Sequence, residues 1–111
     1  MSITFRPVEG TTVSYTYYKA DPEDNHQSLK NGCIRFAQDE PSCNACNSNA
    51  LGILDILGFK PDYIGTIPNC YLVALETQLT YACPQSIERY RDQLLDVVRC
   101  AMYHNCDVVW S

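Results

Sequence analysis

The chain has 111 residues, of which 46% are hydrophobic, with six prolines, five glycines and a formal charge of −5. That length is near the commonest domain size and allows roughly two-thirds of the unfolded surface to be buried, so a single domain over 1–111 with its own core is expected and a disordered chain is excluded. Eight basic against thirteen acidic residues disfavour direct binding to nucleic-acid phosphates and favour a partner with a basic surface.

The first segments alternate as strands do. "SITFRPV" (2–8) puts Ile3, Phe5 and Pro7 on one face and Thr4 and Arg6 on the other. "TTVSYTYYK" (11–19) is rich in the residues that suit a pleated, half-buried surface, and "VEGT" between the two predicts a hairpin. Tyr15 and Tyr17 share one face of this second strand, with Thr16 and Tyr18 on the other. Tyrosine offers rigid apolar area plus a hydroxyl and is enriched at binding surfaces. Residues 20–32 are polar and turn-rich, a long loop bearing Asp21, Glu23 and Asp24. "CIRFA" (33–37) reads as a third short strand.

From Asn47 the period becomes helical. Asn47 or Ser48 can cap, the aliphatics run from Ala50 to Leu57, and Gly58 is the expected left-handed terminator. So apolar a helix is expected at the centre of the core. Pro68 opens a second helix, with Leu72, Leu75, Leu79 and Ala82 at helical spacing, ended by "CP" at 83–84. A third helix is expected over 85–104, with an apolar stripe from Ile87 to Met102 and a solvated face of Glu88, Arg89, Asp92, Asp96 and Arg99. "CDVVWS" closes as a strand. The expected class is α+β: a small, largely antiparallel sheet of three N-terminal strands plus the C-terminal one, packed by about three helices.

Seven cysteines with no basic n-region and apolar h-region at the N-terminus point to a reducing cytoplasm rather than a disulfide framework. No apolar stretch approaches the ~20 residues that span a bilayer, so no membrane is expected. The pair Cys43 and Cys46, in "CNAC", is the one motif with chemical potential. Two thiolates in a short loop can ligate zinc at about 2.3 Å, and Cys100, His104 and Cys106 are the remaining candidate ligands, with Cys100 and His104 sharing a helix face that points away from the apolar stripe. No second Cys-x-x-Cys or His-x3-5-His completes that pattern, so no cofactor is expected, with zinc as the alternative. A redox pair would follow a strand and open the helix itself. Here the pair precedes the best capping residue, and Pro41 and Ser42 interrupt any strand before it, so "CNACNSN" reads as a turn-rich helix entry. Nothing in the sequence brings His26 or His104 to a nucleophile, and the glycines match no phosphate-binding loop.

"NSNALGILDILGF" (47–59) resembles small uncharacterised bacterial and phage proteins in which Asn-x-Asn-Ala opens an aliphatic helix ending in Leu-Gly and an apolar residue. The resemblance covers these 13 residues, implies no activity, and points to a bacterium or its mobile elements as the source. The functional expectation is a small acidic non-enzymatic binding protein, for instance a phage or mobile-element inhibitor of the anti-defence type. Its partner-binding residues would be Tyr15, Tyr17, Tyr18, Asp21, Glu23 and Asp24. The alternatives are a metal- or thiol-dependent Cys/His module and an oligomeric sequesterer of a small ligand.

Overall fold

A computed structural model of the chain describes residues 1–10, 15 and 41–111. Its described strands are β1 (Ser2–Val8), β2 (Cys43–Cys46), β3 (Gly65–Ile67) and β4 (Asp107–Trp110). The α-helices are α1 (Asn47–Ile56), α2 (Leu72–Tyr81) and α3 (Arg91–Tyr103). The four strands form one antiparallel sheet in the order β2-β1-β4-β3, and the helices pack against it, an α+β architecture as expected. Among the described residues no helix is long and apolar enough to cross a membrane.

The alternation read in 2–8 holds: Ile3, Phe5 and Pro7 face the core, while Thr4 and Arg6 are half-exposed on the other side. The registers align Cys43, Phe5, Trp110 and Gly65 across all four strands. Gly65 is required there, because a Cβ at that position would collide with the Trp110 indole, whose Nε1–H donates to the Asp62 carbonyl at 2.9 Å.

Two members of the sheet differ from expectation. The strands expected at 11–19 and 33–37 fall outside the described residues, apart from Tyr15, as does the loop over 20–32. The described sheet also includes "CNAC" and "GTI". The first is a strand and not a turn-rich helix entry. Cys43 and Ala45 are buried, Asn44 and Cys46 exposed, and the Asn44 amide donates to Ser2 Oγ at 3.1 Å and Thr4 Oγ1 at 2.8 Å across β1. Cross-strand pairing overrides the weak strand preference of Asn and Ala. The helix accordingly starts one residue early, with Cys46 rather than Asn47 or Ser48 in the capping position and no side-chain cap.

The centre of the core also shifts. α1 buries Ala50, Ile53 and Leu54 but exposes Asp55 and Ile56, so one side of it meets solvent. α3 is the interior element. It touches β1, β2, β4 and α2, and buries Leu94, Leu95, Asp96, Val97, Val98, Cys100 and Ala101. Asp96 was expected on the solvated face and Cys100 away from the apolar stripe. Both are interior because a helix lying between a sheet and another helix is covered over more than one face. Each of the last two helices opens through a 3-10 turn preceded by proline, Asn69–Tyr71 after Pro68 and Gln85–Tyr90 after Pro84. Both prolines have φ near −60°, the value that the ring enforces and that suits a helix entrance. The expected terminator is present: Gly58 has φ +85°, where a side chain would be strained.

Candidate functional site

The cysteines divide by strand geometry. Side chains three apart on a strand point to opposite faces, so Cys43 enters the core and Cys46 faces solvent. Burial pushes the Cys43 thiol up to about 12, because the thiolate cannot be solvated there. The Cys46 thiol is lowered instead. Its contact with Ser48 Oγ at 3.6 Å is the main cause, followed by the Asn49 backbone N–H and the charge of Arg89, all favouring the thiolate at the entrance to α1. Cys100 and Cys106 are buried, and burial first, then the charges of Asp107 and Glu9, raise Cys106 to about 11. His104 is half-buried at the end of α3. These five residues are not brought to one point: among the described residues no group of three or more His, Cys, Asp or Glu is arranged to hold a metal ion.

Of the six residues expected to bind a partner, only Tyr15 is described; Tyr17, Tyr18, Asp21, Glu23 and Asp24 lie outside the described residues. Tyr15 is half-buried, its ring stacked on His104 at 4.4 Å and its hydroxyl donating to Glu9 Oε2 at 2.8 Å. That hydrogen bond, with burial and the Glu9 charge behind it, raises the phenol to about 12. Tyr103 meets the other aspect of His104 edge-on at 5.0 Å.

A different surface stands out, on α2. Leu72, Leu75 and Leu79 point into the core. On the opposite side Val73, Ala74, Thr77 and Tyr81 fall within about 100° of helical arc and are all exposed, Val73 at 63% and Tyr81 at 84%. None is charged, and Thr77 Oγ1 donates to the Val73 carbonyl at 3.0 Å, which occupies its one donor within the helix. Tyr71, exposed just ahead of the helix, meets Phe59 edge-on at 6.4 Å. The α2 frame is fixed from behind. Arg91 Nε donates to the Leu79 carbonyl at 2.8 Å and Nη2 to the Thr80 carbonyl at 3.5 Å, satisfying acceptors that the last turn leaves open. Sequence reasoning missed this face. Its signal was an absence, since Glu76 is the only charged residue between Leu72 and Ala82.

Such a helix side can contribute apolar and aromatic area to a contact. Its polar side-chain groups are the hydroxyls of Thr77 and Tyr81. Compared with known proteins, the chain matches no protein-family model, no curated protein and no solved structure.

Proposed function

We propose that this protein is a non-enzymatic binding protein that acts by docking the outer side of α2 onto a protein partner. The observation that carries the reading is the uncharged exposed stripe Val73, Ala74, Thr77 and Tyr81, on a chain with a net charge of −5. Aromatic residues dominate binding energy at interfaces, and charged residues are depleted from interface centres. The acidity supports a partner with a basic surface around the contact, steering encounter while the stripe supplies the dry centre. A phage or mobile-element inhibitor of a bacterial host protein is the concrete version, supported by the acidity and the resemblance at 47–59.

Capture from a bacterial lysate at moderate salt tests it. The wild-type chain should recover a stoichiometric protein, and the double variant Val73→Glu/Tyr81→Glu should bind that protein at least about thirtyfold more weakly, the loss typical of an anchor worth about 2 kcal/mol. Undiminished recovery by the double variant would remove α2 from the account.

A second reading, a thiol-dependent module, is favoured by one observation: Cys46 is exposed with its thiol lowered by Ser48, Asn49 and Arg89. Iodoacetamide alkylation followed by mass spectrometry against pH checks its chemistry. Cys46 should react at lower pH than a free cysteine, and Cys43 only after unfolding. The stability counterpart has the opposite sign for Cys43: stability is fully present below the ordinary thiol value of 9.0 and is lost as pH rises toward 12. Alkylation of Cys46 that tracks free cysteine would leave this reading without support.

A further inference from the structure

Away from the helices, the outer face of the sheet holds a small cavity. Strand alternation puts Arg6 and Val8 of β1, Asp107 and Val109 of β4 and Thr66 of β3 on that side. Arg6 pairs with Val109, which pairs in turn with Thr66; two residues along, Val8 pairs with Asp107. With Glu9 just past the end of β1, these side chains line a hollow of about 280 Å³ that opens to solvent. Val109, on the strand between β1 and β3, gives it an apolar floor.

Arg6 is the informative residue. Its Nε is buried and has no hydrogen-bond partner. Buried donors of a charged group are rarely left so, because nothing replaces the water they lose. The two carboxylates at the hollow are committed elsewhere through one oxygen each. Glu9 Oε2 accepts from Tyr15, and Asp107 Oδ1 accepts the Asn69 backbone N–H at 2.8 Å. Among the described residues no ion pair joins either of them to Arg6. A cation-lined wall and two half-committed acceptors therefore share one small space.

We propose that this hollow binds a small zwitterion of the α-amino-acid type, its carboxylate on the Arg6 guanidinium and its ammonium on Glu9 and Asp107. A planar carboxylate complements the guanidinium charge that Arg6 brings to the wall of the hollow. A dianion such as phosphate meets two carboxylates against one guanidinium, and a simple cation meets Arg6, so a ligand carrying both charges fits best. The volume is at the small end for ligand sites, sufficient for an amino-acid backbone with a short side chain over Val109.

The test is a chemical-shift titration of the uniformly ¹⁵N-labelled full chain with glycine, L-alanine and L-serine, with acetate and N-acetyl-L-alanine as controls. Saturating shifts are expected at the amides of Arg6, Thr66 and Asp107 with the amino acids, weaker by about tenfold in Arg6→Gln, and absent with N-acetyl-L-alanine. Should Arg6→Gln fail to fold, Glu9→Gln, at an exposed position, carries the same expectation of an about tenfold loss. No shift at these amides with any amino acid, an equal response to acetate, or unchanged affinity in the folded variant would overturn the assignment.

Discussion

α2 and α3 pack against each other and share one core, yet their solvent sides differ in kind. α3 turns out Asp92, Gln93 and Arg99, and Arg99 reaches back to Glu76 of α2 at 3.4 Å. α2 turns out Val73, Ala74, Thr77 and Tyr81. A charged exterior is strongly hydrated. An exterior without charge is less so, and that difference is what the proposed docking onto a protein partner draws on. Both helices bury aliphatic residues in the shared core, α3 over more of its circumference, and the contrast of interest lies in the outward residues.

That contrast can be attacked from both sides of α2. The largest effect belongs to the inner side. Leu79 is fully buried, and Leu79→Ala should cost about 2–5 kcal/mol in urea unfolding, through lost burial plus the cavity left behind. A cost below about 1 kcal/mol would mean that α2 is not anchored as described. Arg91→Met should cost roughly 1–3 kcal/mol, because the Leu79 and Thr80 carbonyls lose a charged donor while the aliphatic stem is retained. The smallest effect is at the rim between the helices. Arg99 and Glu76 are both partly exposed, so a double-mutant cycle with Arg99→Gln and Glu76→Gln should give a coupling of about 0.2–1 kcal/mol, shrinking with added salt. A larger, salt-insensitive coupling would mark this edge as part of the core.

What the sequence disclosed followed from local pattern. The two-residue alternation in 2–8, the leucine spacing of α2 and the glycine that ends α1 each announce themselves over a few residues. β2 and β3 did not, being four and three residues long with Asn, Ala, Cys and Gly among them. They are strands because β1 and β4 offer unpaired edges, and that information is tertiary. Asp96 and Cys100 were misread for a related reason: helical periodicity fixes which residues share a face but not how many faces a neighbour will cover. The candidate site was the least legible part. Apolar residues at helical spacing signal the buried side of α2, whereas its outward side is marked only by missing charges opposite them. The paired cysteines have the spacing of a chemical motif, although a strand through them sends the two sulfurs to opposite sides of the sheet.

The most direct measurement is a paired capture from a bacterial lysate, comparing Val73→Glu/Tyr81→Glu on α2 with Asp92→Ser/Gln93→Ala on α3, each beside the wild type and each shown to be folded. The account predicts that the α3 variant recovers the same stoichiometric protein as the wild type while the α2 variant loses it. Equal recovery by both variants, or no stoichiometric protein with the wild type, would contradict it.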